Sequence, residues 1–236
     1  MDEKNHELRA LASSYRDCAR CKLSRPCGRN RQSVVMGEGS PGARVMLIGE
    51  APGYAEDLHG KPFVGESGAM LDSFLNGVHS SRQEVYITNT VLCRPTEDDK
   101  PTVNRAPLKE EVDACYARLC AEIEAVDPFV ILLLGNVPFK LLTDEPRTLT
   151  QVARDATLPM LWAVTQGKFV ETRRSAYAAF HPSYLLRLHA EVGEDRFFSK
   201  GSDAYRTFLA FRQAFIVADM QANLKYGTPI PNRGED

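Results

Sequence analysis

An α/β fold around a central, mainly parallel sheet of four strands is what this sequence predicts. Three observations lead there. Short apolar runs recur along the 236 residues. Segments with apolar residues at helical spacing lie between them, the alternation that a parallel sheet with covering helices requires. No internal repeat, low-complexity block or Pro/Gly linker divides the chain, whose length suits one domain spanning 1–236.

The elements follow in order. The first forty residues read as an arm, stapled by metal through the Cys18-Ala-Arg-Cys21 pair, rather than as a second domain. Arg44-Val-Met-Leu-Ile-Gly49 is a buried strand, and a helix starts in Gly68–Leu75, with Met70, Leu71, Phe74 and Leu75 on one side. Val85–Val91 is the second strand, rich in β-branched residues. From about Leu108 a helix carries Val112, Cys115, Tyr116, Leu119, Ile123 and Val126 at helical spacing. Phe129–Leu134 is the third strand, closed by Gly135 and followed by a short helix around Phe139–Leu142. The signal in 143–174 is weak and predicts no element. Ser175–Phe180 is the fourth strand, and a last helix runs from about Ser202 to Gln221, with Tyr205, Phe208, Leu209, Phe215 and Ile216 as its apolar residues.

Composition narrows the class. With 43% hydrophobic and 25% charged residues the chain is ordinary and globular. No apolar run is long enough to cross a bilayer, and the polar start, Met1-Asp2-Glu3-Lys4-Asn5-His6, lacks a signal-peptide core. A cytoplasmic protein without membrane attachment is expected. The net charge of −2 does not mark a nucleic-acid binder, yet Arg9, Arg16, Arg20, Lys22, Arg25, Arg29 and Arg31 face only Asp17 in their stretch. That cluster suits phosphate contacts or a solvated surface. Six cysteines in a cytoplasmic chain point to metal binding or burial rather than disulfides. A single CxxC serves zinc, an iron–sulfur cluster or redox chemistry equally well.

Four segments carry the chemistry, and they fall at the carboxyl ends of strands, where open α/β sheets bind ligands. They are Gly49-Glu-Ala-Pro-Gly53 with Glu56-Asp57 and Gly60-Lys-Pro-Phe-Val-Gly65; Tyr86-Ile-Thr-Asn89; the cysteines; and His181-Pro-Ser-Tyr-Leu-Leu-Arg187. In order and wording they resemble the family 4, iron–sulfur uracil-DNA glycosylases, which show a GEAPG…ED…G.PFVG loop, a strand ending in ITN, a CRP segment and an HPS motif. The match runs from about Tyr15 to Arg187.

The resemblance implies a three-layer α/β/α domain that removes uracil from single- or double-stranded DNA by hydrolysing the N-glycosidic bond, as a monomer in base excision repair. His181 then donates to uracil O2 as charge develops there. Glu50 orients water, takes its proton or offsets sugar charge, or else fixes its loop. Ala51 stands where the best-known glycosylase family carries an aspartate. Asn89 reads the base, accepting from N3–H and donating to O4, a pattern cytosine reverses. Phe63 stacks on the flipped base, and Gly49 and Ala51 complete the uracil pocket. Ser183, Leu185 and Arg187 belong to a loop that fills the space the nucleotide leaves. Cys18, Cys21, Cys93 and Cys115 hold a 4Fe–4S cluster, four thiolates that also suit zinc. Cys27 is a substitute ligand, and Cys120 is a buried thiol.

One departure is the stretch Thr96–Val103, which lengthens the Cys93-to-Cys115 interval and reads as a surface loop near DNA. Two alternatives stand beside hydrolysis. One is a relative that captures uracil-DNA covalently through a loop histidine, whose counterpart here is Asn104. The other is a non-catalytic DNA-binding member of the fold.

Overall fold

The computed structural model describes residues 2–24, 34–97, 100–155, 161–166, 171–229 and 231. Cys27, Arg25, Arg29 and Arg31 lie outside them. The main sheet has strand order β1 (Glu38–Gly39), β3 (Tyr86–Asn89), β2 (Val45–Gly49), β6 (Val130–Leu134), β8 (Glu171–Ala179) and β7 (Leu161–Gln166). The four inner strands are parallel and are the four read from sequence. The expected count of four is corrected to six by an antiparallel strand on each edge, β1 against β3 and β7 against β8. Two residues of β1 are too few to show a periodicity, and β7 falls in the stretch without a clear pattern.

Every residue of β2 and β6 is buried, which is why both read as unbroken apolar runs rather than alternating ones. The chain leaves β2 through α3 (Glu66–Gly77) toward β3, then crosses back through α4 (Lys109–Val126) to β6. Right-handed crossovers taken in opposite directions put these helices on opposite faces of the sheet. The last helix, α9 (Asp203–Tyr226), packs on β8, β6 and β2 and touches α3. Its buried face is made of small residues, Ala204, Ala210, Ala214, Ala218 and Ala222, with Phe211 and Phe215. Of the apolar residues expected to lead that face, Tyr205, Phe208, Leu209 and Ile216 are only half-buried, because alanines allow the helix axis to approach the strands.

The arm opens with a helix, α1 (Asp2–Tyr15), that packs against α4, where Lys4 Nζ donates to the Val126 carbonyl at 2.7 Å. The long interval after Cys93 forms a hairpin of β4 (Thr96–Glu97) and β5 (Lys100–Asn104). Short helices complete the described chain: α2 (Tyr54–His59), α5 (Asn136–Leu142), α6 (Leu149–Ala153), α7 (Pro182–Val192) and α8 (Glu194–Phe197), with one 3-10 turn at Lys22–Ser24.

Candidate active site

A cavity of about 530 Å³ opens at the carboxyl ends of the parallel strands. Glu50 and Ala51 enter it from the end of β2, Asn89 from β3, Gly135 and Asn136 from β6, and Phe180 and His181 from β8. β2 neighbours β3 on one side and β6 on the other, and the two crossovers diverge there, so the cavity occupies the switch point of the sheet. Phe63, Ser183, Arg187 and the hairpin residues Asn104 and Arg105 complete its wall.

Asn89 is buried, and its Oδ1 has no hydrogen-bond partner. It does not cap its strand with that oxygen, so the acceptor is left for a ligand. Behind it Arg118, fully buried on α4, donates to the carbonyls of Asn89 at 2.9 Å and Thr90 at 2.7 Å. Glu122, one turn on, accepts from Arg118 at 2.8 Å and from Thr88 Oγ1 at 2.8 Å. Gly49 is a space requirement: a Cβ there would stand 2.5 Å from Asn89 Oδ1 and 2.5 Å from the Phe63 ring.

The two motif loops are joined by Glu56. Its carboxylate accepts from the backbone N–H of Gly53 at 3.0 Å, and from those of Val64 and Gly65 at 2.9 Å each. The first contact caps α2, and the others pull the Phe63 loop over the cavity. Phe63 has a left-handed backbone, φ 54°, and its ring centroid lies 5.8 Å from that of His181.

His181 caps α7, with Pro182 at the first helical position. Its Nδ1 accepts from the Ser183 backbone N–H at 3.1 Å and lies 2.8 Å from Ser183 Oγ. Burial, and next the charge of Arg187, hold the imidazole pKa down at about 4 against a weaker pull from Glu56. The ring is therefore neutral at pH 7, and because Nδ1 accepts, the proton sits on Nε2. That buried Nε2 has no partner. Across the cavity, burial raises the Glu50 pKa while Arg187 opposes the rise. A carboxylate more basic than usual beside a guanidinium suits proton uptake at neutral pH.

Leu185 is corrected. Its side chain is 0% exposed and belongs to the main core, because it lies on the inner face of α7. It is not available to a DNA groove, and Arg187 is the exposed member of that segment.

The four cysteines gather elsewhere. Cys18 and Cys21 come from the turn after α1, Cys93 from the segment after β3, and Cys115 from α4. They stand close enough to act on one another: burial first, then Cys115, Cys21 and Cys18, pushes the Cys93 thiol far above its ordinary range. Burial likewise raises Cys21, with smaller contributions from Cys115, Glu111 and Cys18. Among the described residues no three His, Cys, Asp or Glu side chains meet at the spacing of one metal ion. Tyr15, Leu92, Leu11, Leu23, Val34 and Met36 pack around Cys18 and Cys93 as a second apolar cluster.

The residues that sequence reasoning missed are Asn136 and Thr150 on the far wall and the clamp role of Glu56. Asn136 follows a strand end and was findable from that position alone. Thr150 lies in the stretch with no pattern.

The family model described as uracil DNA glycosylase superfamily matches residues 36–210. The chain is 36% identical over 181 residues to the type-4 uracil-DNA glycosylase of Thermotoga maritima, covering 76% of this chain and 83% of the relative. With that of Saccharolobus solfataricus it shares 42% over 130 residues, 55% of this chain and 56% of the relative. With that of Pyrobaculum aerophilum it shares 32% over 204 residues, 84% and 97% of the two chains.

Proposed function

Because the chain belongs to the uracil DNA glycosylase superfamily, among its type-4 members, we propose the following division of labour for the removal of uracil from DNA. The enzyme hydrolyses the bond between uracil N1 and the sugar, releases the base and leaves an abasic site for repair. One observation carries the assignment of roles. Two buried polar atoms of opposite sense, the Asn89 Oδ1 acceptor and the His181 Nε2–H donor, are without partners. An unmet buried group costs about 1–3 kcal/mol, so a pair of them aimed into a cavity is explained by a ligand that meets both. Uracil does so: N3–H reaches Asn89 Oδ1, O4 accepts from the Asn89 amide, and O2 accepts from His181.

As the glycosidic bond breaks, negative charge grows on O2 and positive charge on the sugar. A neutral donor already aimed at O2 strengthens as that charge appears, which lowers the barrier without tightening substrate binding equally. Glu50 orients the attacking water, accepts its proton and offsets the sugar charge. Phe63 covers one face of the base, Gly49 and Ala51 leave room for it, and Ser183 sets the imidazole orientation. Arg187, at the rim, meets the DNA backbone. Asn104 lines the cavity with its Oδ1 bound to Arg94 Nε at 2.5 Å, and an amide is a poor nucleophile, so water is the final acceptor.

Cys18, Cys21, Cys93 and Cys115 hold a 4Fe–4S cluster. Supporting this reading, the four thiols come close enough for Cys115, Cys21 and Cys18 to add to the rise of the Cys93 pKa that burial begins, and apolar side chains pack around Cys18 and Cys93. When bound, the cluster ties the arm, the segment after β3 and α4 together. Residues 1–236 then act as one catalytic domain with its arm, a cytoplasmic monomer working on single- or double-stranded DNA. Among the described residues no helix is long and apolar enough to cross a membrane.

A uracil-containing oligonucleotide, treated with the protein and then with alkali, tests the reading. Strand cleavage at the uracil position is expected, with several turnovers per enzyme. A strand that stays intact would refute the glycosylase reading, and a protein–DNA species surviving hot detergent would replace water with a protein nucleophile.

A further inference from the structure

Phe63 adopts a backbone conformation that a bulky side chain reaches only with strain, and such a residue persists where its surroundings hold it. The Phe63 side chain is buried in the main core, and its backbone is held separately. Beside the loop lies an open depression of about 720 Å³ lined by Lys61–Gly65, Ile87 and Arg82. From that side the Arg82 guanidinium gathers three backbone carbonyls. It donates to Pro62 O at 3.3 Å, to Phe63 O and to Gly68 O at 3.3 Å. Its Nε is anchored on Asp72 Oδ1 at 2.6 Å. Gly68 in the first turn of α3 presses directly on the same carbonyl, since a Cβ there would lie 1.8 Å from Phe63 O.

We propose that Arg82 is a positioning residue for base binding: by tying down the Phe63 carbonyl it holds that residue left-handed and aims the ring into the pocket. The proposal rests on the reading of Phe63 as the residue that stacks on uracil. Arg82 touches no reacting atom, and it lies on the far side of the loop from Glu50 and His181. Without the tie, the Phe63 backbone relaxes toward the extended region that bulky residues prefer, and the ring leaves the pocket. The guanidinium is required for its fork: one lysine ammonium can keep Asp72 but does not span three carbonyls.

A double-mutant cycle on uracil excision tests it, with Arg82→Gln, Phe63→Ala and the pair compared in kcat and KM. Arg82 is partly exposed, so the variants are expected to fold, and thermal melting checks this; Arg82→Lys repeats the measurement with charge retained. In the natural background, Arg82→Gln should reduce kcat/KM roughly tenfold, mainly through KM, as expected for loss of one base-stacking contact. In the Phe63→Ala background the same change should have no further effect. An equal loss in both backgrounds, or no loss in the natural one, would overturn the proposal while leaving Phe63 in place. If Phe63→Ala itself were inert, the stacking role of Phe63 would fall, and the proposal with it.

Discussion

His181 keeps its proton on Nε2 because a backbone N–H, which can only donate, occupies Nδ1. Its neutrality has two causes that mutation separates: burial, then Arg187. Removing the second by Arg187→Ala should raise the imidazole pKa from about 4 toward the ordinary value, visible as a shift of its proton resonance on titration. The same change should let the Glu50 pKa rise further, since Arg187 is what opposes burial there. The acid limb of activity then moves to higher pH. Unmoved titrations would place Arg187 outside the site. The sign for stability follows from linkage. The unfolded chain takes up a proton at His181 near pH 6.5, and the folded one only near pH 4. This contribution is complete above about pH 6.5 and is lost as pH falls toward 4.

At the scale of elements, α4 links two sites. Cys115 faces the other thiols, and Arg118, one turn later, holds the end of the strand that carries Asn89. Arg118→Met would leave Glu122 buried with its charge unpaired, which should destabilise the fold by about 3–5 kcal/mol. Chemical denaturation checks this, and a loss under 1 kcal/mol would mean that water reaches Glu122. Which elements were legible follows from burial. β2 and β6 announced themselves because both of their faces are buried, and α3 because Leu71, Phe74 and Leu75 share one side. α2 stayed hidden because its six residues are too few to show a helical repeat and it is defined by the Glu56 cap. The hairpin was read as a loop because strand pairing over two to five residues leaves no periodic trace. Leu185 was misread because an apolar residue beside a motif looks alike in a wedge and in a core until the helix face is known. Glu50, Asn89 and His181 were singled out by motifs at the carboxyl ends of strands, and the structure brings all three to one cavity, because β2, β3 and β8 end on the same edge of the sheet. Arg118, which holds the Asn89 carbonyl, and Arg82, which holds the Phe63 carbonyl, come from distant segments that no spacing connects.

For the whole molecule, the four cysteines lie on three segments far apart in the chain: the turn after α1, the segment after β3, and α4. The proposed metal centre, held by all four, would add to their mutual stability. The purified protein should be yellow-brown, and Cys93→Ala should lose that colour together with most of its soluble yield. A colourless native protein carrying one zinc ion would overturn the cluster assignment. The pocket stands or falls on base recognition. The most direct measurement is kcat/KM for uracil excision by Asn89→Asp, on one oligonucleotide and with the visible absorbance of the cluster as a check that the fold is intact. A carboxylate does not donate to O4 and repels it, and sites built around such a contact discriminate strongly. A fall of at least about a hundredfold with unchanged absorbance is the predicted result; activity within a few-fold of the natural protein would contradict it and remove Asn89 from the base-reading site.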